Sequence, residues 1–186
     1  MEIKATLDKP YTKDERFHFI VEQNHRKGYE IRETEIALEA WGLTDEELLE
    51  QLKQAKYNQA NNGAKEYLES GNALFEFDEG KHIEATDGNI GKFTGFAVGY
   101  ITGQLEPTDT VEWNTKEDET VQLNQGQVST ILFGLGQVQT LVWTVKFPQY
   151  LQAIENAQTV EEVNAIVIDY TQDVPEEESE EENPEE

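Results

Sequence analysis

The chain has 186 residues, of which 39 are acidic and 14 are basic, and its formal net charge is −25. It contains no cysteine, which excludes disulfides, thiolate zinc sites and cysteine nucleophiles. It also has no run of lysine and arginine that could neutralise a phosphate backbone, which argues against nucleic acid as a ligand. The 3 Trp, 7 Tyr and 8 Phe are enough to fill a core, so most of the chain is predicted to fold.

The first 42 residues predict a small β-α-β-β module. A strand pattern at Ile3–Leu7 is followed by Thr12 and Glu15, which are spaced as the capping box of a helix over about 13–27. Gly28 stands where a left-handed helix end is expected. Alternating apolar residues then predict two short strands, with Tyr29 and Ile31 in one and Ile36, Leu38 and Ala40 in the other.

Residues 43–70 predict a helical linker. Thr44 and Glu47 form a second capping-box pattern, and a loose apolar seam continues to about residue 69. The Asn-Gly dipeptide at 62–63 is typical of turns. The segment could therefore be one helix, two helical pieces or a flexible connection.

The C-terminal domain, residues 71–170, is predicted to be mostly helical with one or two β-hairpins. Strand patterns at 74–77 and 82–85 flank a first polar turn, and strand patterns at 111–113 and 121–123 flank a second. A helix is predicted after each hairpin.

These two helices are nearly uncharged and are predicted to form the core of the domain. The helix at 88–104 has one charged side chain, Lys92, and the helix at 125–146 has one, Lys146. Solvent-facing helices normally carry charge on one side, so both helices are expected to be shielded from water. The second has an apolar seam of alternating three- and four-residue spacing, formed by Val128, Ile131, Leu135, Val138, Val142 and Val145.

A stripe of four glycines, Gly91, Gly95, Gly99 and Gly103, runs along the first of these helices. Each interior glycine disfavours a helix by about 1 kcal/mol relative to alanine, so the stripe predicts a close helix contact in return. The contact could be an intrachain crossing against the helix at 125–146 or a contact with another subunit, and a broken helix is the third alternative. A membrane span is disfavoured because the apolar runs fall short of about 20 residues or contain Gln and Lys.

The second helix adds further interface candidates. Phe133, Leu141 and Trp143 lie off its seam, so this helix is expected to bury more than one side. Gln137 and Gln139 could hydrogen-bond across a subunit contact without the cost of desolvating a charge. Together with the glycine stripe, Gln137, Gln139 and Trp143 are predicted to form a partner interface.

Beyond these helices the chain predicts little regular structure. Pro148 is predicted to end the second helix, and short helices are predicted at about 149–157 and 159–166. The fold is predicted to end near Tyr170. Residues 171–186 hold nine acids, no base and almost nothing apolar, and are predicted to be a disordered acidic tail.

No constellation for catalysis, cofactor binding or metal binding is identified. His18, Glu22 and His25 share one side of the first helix, but they lack a further strong ligand and are interpreted as a solvated polar face. The glycine-rich segments lack the spacing of a phosphate loop, and no serine lies in a G-x-S-x-G setting. We therefore expect no enzyme activity and no cofactor.

The C-terminal domain resembles a known family. The segment WNTKEDETVQL, the helix after it and AIENAQTVEEVNAI resemble the domain-of-unknown-function family DUF4376, which is common in tailed-phage structural gene clusters. The resemblance is carried by Trp113, Asp118, Val121, Leu123, the helix around Ile131 to Val145, Ile154, Ala157, Thr159, Val163 and Ile166. The head also resembles an N-terminal module of phage proteins of similar length. The family has no established catalytic residues, and it implies a role in the virion or in tail assembly.

The sequence thus predicts an α+β fold with a β-α-β-β head at 1–42, a helical linker at 43–70, a helical domain with hairpins at 71–170 and a tail at 171–186. The expected function is that of a non-enzymatic phage tail-associated structural or tail-fibre assembly protein. Its expected partner is a tail or fibre protein, and it could also form a homo-oligomer.

Two further expectations accompany this hypothesis. The N-terminus lacks the basic region and apolar run of a signal peptide, so the protein is expected in the virion or in the host cytoplasm during assembly. The alternative function is that of an acidic decoy, a nucleic-acid mimic that binds a host DNA-binding or defence protein, and it rests on the net charge of −25.

Overall fold

Residues 1–172 of the chain are described by a computed structural model, and they show the α+β fold that the sequence predicts. All but the first two residues of the predicted acidic tail, 171–186, lie outside this described part, so the disorder of the tail stays a prediction. Contacts divide the chain into two compact units. The first consists of Met1–Ala55 with Ala157–Ala165, and the second of Lys56–Asn156 with the chain from Ile166 onward.

The head of the first unit is a three-stranded antiparallel sheet with one helix. Its elements are β1 (Glu2–Asp8), α1 (Lys13–Ile20), the π-helical segment π1 (Val21–Arg26), β2 (Glu30–Glu33) and β3 (Ala37–Gly42). The strand order is β1-β3-β2, and the predicted β-α-β-β order is confirmed. Leu38 and Ala40 of the central strand are buried, whereas Ile36, predicted to be part of this strand, precedes it and is exposed.

The capping box and the glycine helix end that the sequence predicts for the head are both present. The Glu15 backbone N–H donates to Thr12 Oγ1 over 3.2 Å, and the Thr12 N–H donates to Glu15 Oε2 over 2.7 Å, which completes the capping box. Gly28 has φ +75°, the left-handed conformation expected at the helix end. At the end of β2, Tyr11 Oη donates to Glu33 Oε1 over 2.7 Å, and this bond, with Lys9, lowers the pKa of Glu33 to about 2.

One uninterrupted helix, α2 (Asp45–Glu69), follows the head, and its start is capped by Thr44 and Glu47 as predicted. The Asn-Gly dipeptide at 62–63 does not break it, so the alternatives of two pieces or a flexible connection are wrong. Gly63 serves packing instead, because a Cβ there would lie 3.3 Å from the ring of Tyr170. Ala60 and Ala64, on either side of it, are fully buried.

The second unit contains both predicted hairpins and the two nearly uncharged helices. Its further elements are β4 (Leu74–Asp78), β5 (Lys81–Glu84), α3 (Asp87–Ile101), β6 (Val111–Asn114), β7 (Thr120–Leu123), α4 (Gln125–Leu141), the π-helical segment π2 (Val142–Lys146) and α5 (Phe147–Asn156). The last helix, α6 (Val160–Ala165), belongs to the first unit. α4 packs against α3 and β4, and the buried cluster around Phe93, Ile131 and Leu135 is the core of the second unit.

A close approach of two elements fixes how α4 meets the first hairpin. The ring of Phe75 on β4 lies directly against Gly134 of α4, where a side chain would overlap it. Gly136, two residues later on the same helix, has no neighbour within 4 Å of a Cβ position. Nothing in the sequence distinguishes these two glycines, because the contact joins residues far apart in the chain.

The predicted seam of α4 is confirmed up to Val142 and is wrong at its last member. Val128, Ile131, Leu135 and Val142 are buried, but Val145 is exposed and Lys146 is buried in its place. The cause is π2, whose turns contain more residues than α-helical turns, so Lys146 rather than Val145 returns to the side of Val142.

The prediction that Pro148 ends the helix is also wrong. The chain continues as α5, and the Phe147 N–H donates to the Val142 carbonyl, five residues back. Proline in an α-helix collides with the carbonyl four residues earlier, and the wider π turn moves that carbonyl away. The helical path from Gln125 to Asn156 is therefore continuous.

The chain after α6 forms a strap, residues 166–172, that lies within the second unit. Lys146 Nζ donates to the carbonyls of Tyr170 and Gln172, each over 2.9 Å. Tyr170 Oη donates to the Ala60 carbonyl over 2.9 Å, and burial raises the pKa of Tyr170 to about 12, so this hydroxyl stays a donor. The buried lysine thus has carbonyl partners for its ammonium group.

We predict that Gly134→Ala destabilises the protein and that Gly136→Ala does not. The new methyl group at 134 must displace the Phe75 ring, and overpacking of this kind costs about 1–3 kcal/mol. At 136 the same change meets open space and removes glycine from a helix, which is worth about 0.5–1 kcal/mol in the stabilising direction. Urea unfolding of both variants measures the difference, and equal stabilities would contradict the close approach at Gly134.

Candidate functional site

The glycine stripe of α3 does not form a single surface. A Cβ at Gly91 or Gly95 would meet nothing within 4 Å, and both residues are exposed. Gly99 is buried, and a Cβ there would lie 3.1 Å from Leu105 Cδ1. Gly103 lies beyond the end of α3 with φ +71°, so it ends the helix rather than lining it.

The predicted intrachain crossing through these glycines is therefore wrong. α3 does pack on α4, but it does so through the face that contains the buried rings of Phe93 and Tyr100. Phe93 follows Gly91 by two residues, which turns it about 200° around the helix. Gly91 and Gly95 lie on the opposite, outward face, together with Val98.

The outward face of α4 also carries large apolar side chains and no charge. Phe133 is 68% exposed and Leu141 is 47% exposed, so the expectation that α4 buries both side chains is wrong within residues 1–172. On α3, Ile101 is 81% exposed. We call the exposed uncharged residues of α4 the uncharged face, which consists of Thr130, Phe133, Gln137 and Leu141.

The remaining predicted interface residues have different surroundings. Gln137 is exposed on the outward side of α4. Gln139 is half-buried, and its Nε2 donates to Asp87 Oδ1 over 2.7 Å and to the Ala85 carbonyl over 3.2 Å. This side chain ties α4 to the start of α3, so the two helices run antiparallel. Trp143 is half-buried and stacks edge-on with Phe147, with ring centroids 5.5 Å apart.

The helix that contains this face is both apolar and largely exposed. Within Gln125–Asn156 the most apolar 18-residue window has a mean hydropathy of 1.3, yet only 28% of that window is buried. By length and composition this one helix of the described chain could cross a membrane. A single such helix is weak evidence for a bilayer span, because the core helix of a soluble protein can pass the same test.

A shallow cavity opens beside the start of α4. It has a volume of 350 Å³ and is lined by Phe77, Asn124, Gly126, Gln127, Thr130 and Ile131. Asn124 and Gln127 are already used in the capping box of α4, since each donates a backbone N–H to the other's side-chain oxygen. The cavity is therefore bounded by satisfied polar groups and by apolar surface.

The turn of the second hairpin is fastened to β5 of the first. The Lys116 N–H donates to the His82 carbonyl over 2.9 Å, and the His82 N–H donates to Glu117 Oε2 over 3.0 Å. His82 Nδ1 lies 2.8 Å from Glu117 Oε1, and Lys116 Nζ donates to Glu84 Oε1 over 2.5 Å. The bond from the His82 backbone N–H, followed by that from its ring, lowers the pKa of Glu117 to about 2.

Residues 1–172 hold no cluster of metal-ligating side chains. No group of three or more His, Cys, Asp or Glu side chains in this part could hold a metal ion, and Glu22 is instead paired with Arg26 at 2.9 Å. Every buried side-chain nitrogen and oxygen in the same part has a hydrogen-bond partner, so none is left aimed at a ligand. A cavity of 610 Å³ in the first unit is lined by the exposed carboxylates of Asp45 and Glu46 and by Glu161, without a buried acid.

Comparisons with known proteins add no relative. No family model matches the chain, no curated protein matches it, and no solved structure matches it. The resemblance to the tailed-phage family therefore stays an expectation from the residues that carry it.

We predict that Glu117→Gln lowers stability and removes part of its pH dependence. The carboxyl has its pKa depressed from 4.5 to about 2 in the folded state, so its contribution is fully present above pH 4.5 and is lost as the pH falls toward 2. Unfolding measured across that interval should show a smaller slope for the variant than for the native chain. Glu79→Gln, in the exposed turn of the first hairpin, is the matched control and should keep the native slope.

Proposed function

We propose that this protein is a non-enzymatic structural or tail-fibre assembly protein of a phage tail, and that it acts by helix-mediated protein–protein contact. The observation that carries the proposal is the uncharged face, which stands in a chain of net charge −25. Monomeric proteins rarely leave large apolar side chains grouped on the surface without a partner.

The energetics favour a partner for this face. Full burial of a phenylalanine or leucine side chain contributes about 1.5–3 kcal/mol, and aromatic side chains are enriched among the residues that dominate binding. Phe133 is 68% exposed and Leu141 is 47% exposed, so much of their surface is available for such burial. The other residues of the face are Thr130 and Gln137, which can be desolvated at far lower cost than carboxylates.

The identity of the partner comes from the resemblance. A tailed-phage structural family implies a tail or fibre protein as the partner, and a location in the virion or in the host cytoplasm during assembly. The acidic-decoy alternative is supported by net charge alone, and the uncharged face would have no part in phosphate mimicry.

We predict that Phe133→Glu abolishes capture of the fibre or tail protein from the neighbouring gene when both are co-expressed. A charge in the centre of an apolar contact must be desolvated, and loss of a central aromatic weakens binding about 30-fold or more. Phe17→Glu is the matched control, since Phe17 is 64% exposed on α1 against 68% for Phe133.

The result that would refute the proposal is equal capture by both variants. The decoy alternative makes a different prediction: capture of a host DNA-binding protein that survives Phe133→Glu and weakens steeply with added salt. Both outcomes are read from the same co-expression with the chain intact.

A further inference from the structure

A polar cavity lies between the two hairpins and the start of α3, within the second unit. It has a volume of 310 Å³. Ligand sites are concave and combine an apolar body with a few convergent polar groups, and a volume near 300 Å³ is at the small end of their range. The polar lining comes from β5, α3, β6 and the turn after β6, through Glu84, Asn89, Trp113, Asn114, Lys116 and Asp118.

Four polar groups of this lining have no hydrogen-bond partner within residues 1–172. They are the Nε1–H of Trp113, the Nδ2 amide of Asn114, Oδ1 of Asn89 and the carboxylate of Asp118. The other end of each amide is already used, since Asn89 Nδ2 donates to the Glu84 carbonyl over 3.1 Å and Asn114 Oδ1 accepts from a threonine hydroxyl over 2.8 Å. Two donors and two acceptors therefore remain at one cavity.

Packing holds the indole of Trp113 in place while its N–H stays available. Its ring centroid lies 4.6 Å from that of Phe93, which is fully buried, and Lys92 Nζ lies 5.4 Å from the indole centroid. Every buried side-chain nitrogen in residues 1–172 has a partner, so Trp113 Nε1, which has none, is accessible to solvent. A donor held by the core in this way loses little conformational freedom when a ligand binds.

Asp118 occupies a turn position that glycine would adopt more readily. Its φ is +59°, in the left-handed region, and no other residue of 1–172 except glycine has a positive φ. Main-chain groups close the turn, because the Asp118 N–H donates to the Thr115 carbonyl over 3.1 Å. The turn therefore does not require the carboxylate, which remains available at the cavity.

We propose that this cavity binds a neutral polyhydroxy ligand, namely one sugar ring. The Trp113 N–H and the Asn114 amide donate to its hydroxyl oxygens. Asn89 Oδ1 and the Asp118 carboxylate accept from its hydroxyl hydrogens. Each hydroxyl group both donates and accepts, so a single ligand satisfies both kinds of protein group. This inference goes beyond the proposed function, since none of these residues belongs to the uncharged face.

The charges around the cavity favour a neutral ligand. Glu84 is paired with Lys116, which leaves the Asp118 carboxylate to repel an anion, as does the net charge of −25. A metal ion has no group of three suitable ligands in residues 1–172, and an organic cation would meet the ammonium groups of Lys92 and Lys116. A purely apolar ligand would bury four polar groups without partners, which is costly.

Nuclear magnetic resonance of the isotope-labelled full chain tests the site directly, because three tryptophans give three indole N–H signals. Trp41→Phe and Trp143→Phe assign the signal of Trp113 by elimination. The titrations use glucose, galactose, mannose and N-acetylglucosamine, each up to about 100 mM. At least one sugar should shift the Trp113 signal saturably, with a dissociation constant on the order of millimolar, and leave the other two signals in place.

Two variants test the polar groups. Asp118→Gly keeps the turn, since glycine adopts a positive φ without strain, and it should weaken sugar binding about 10-fold or more, as for a lost hydrogen bond to a charged group. Asn114→Ala should weaken binding about 3-fold, as for a neutral hydrogen bond. Glu79→Ala, which removes a carboxylate from the turn of the first hairpin, is the matched control and should bind as the native chain does. Circular dichroism and urea unfolding verify that each variant is folded.

Three results overturn the inference. One is that no sugar shifts the Trp113 signal, including the case in which only sodium phosphate or calcium chloride shifts it. Another is that the three indole signals shift together, which indicates a solvent effect. The third is that binding keeps its native strength in both Asp118→Gly and Asn114→Ala.

Two controls give the result its meaning. The methyl glycosides of the sugar that binds identify its source, since a site for the end of a glycan chain tolerates the methyl group and a site for a free sugar does not. Either result supports the site. Phe133→Glu should bind the sugar as the native chain does, so failure of this site leaves the proposed function intact, and loss of partner capture leaves this site intact.

Discussion

The second unit depends on the buried seam of α4. Val128, Ile131 and Leu135 are fully buried, and the same helix accepts the Phe75 ring at Gly134, where any side chain would overlap it. α3 and the first hairpin, β4 and β5, are thus positioned against a single helix, because interiors are close-packed and tolerate no slack at such contacts. The consequence is an asymmetric helix. Its opposite side receives no cover from residues 1–172, and the apolar side chains there remain exposed.

The π-helical segment π2 determines which side of the helix Lys146 occupies. In an α-helical continuation both residues would stay near the seam, with Val145 about 60° to one side of Val142 and Lys146 about 40° to the other. The wider turns of π2 favour Lys146, so its ammonium is buried and meets the carbonyls of Tyr170 and Gln172 in the strap. A buried lysine is costly unless its donors are satisfied, and here the strap satisfies them. The segment π2 thereby lets Lys146 hold the strap at the end of the described chain. It also buries Lys146, which is the only charged residue of 125–146.

The sequence correctly predicts features that depend on neighbouring residues, and it misses contacts between residues far apart in the chain. Each capping box pairs two residues only three positions apart, Thr12 with Glu15 and Thr44 with Glu47. Each pair marks the start of a helix, and both capping boxes are present. The Asn-Gly dipeptide misleads because the partner of Gly63 is Tyr170, far along the chain. The glycine stripe misleads in the same way, since a pattern of small residues shows that a close approach is possible but not which element makes it. At the candidate site, the lack of charge on the two helices is readable from the sequence, whereas the exposure of Phe133 requires the packing of α4.

The uncharged face repels another acidic chain less strongly than the rest of the surface does. Acids still lie beside this helix, since Asp87 Oδ1 accepts a hydrogen bond from Gln139 Nε2 over 2.7 Å. Charges in physiological salt are screened beyond about 8 Å, so the repulsion of another acidic chain is weakened by salt. A chain of this composition can be highly soluble in general and still associative at one place, and the apolar residues at that place determine what it binds.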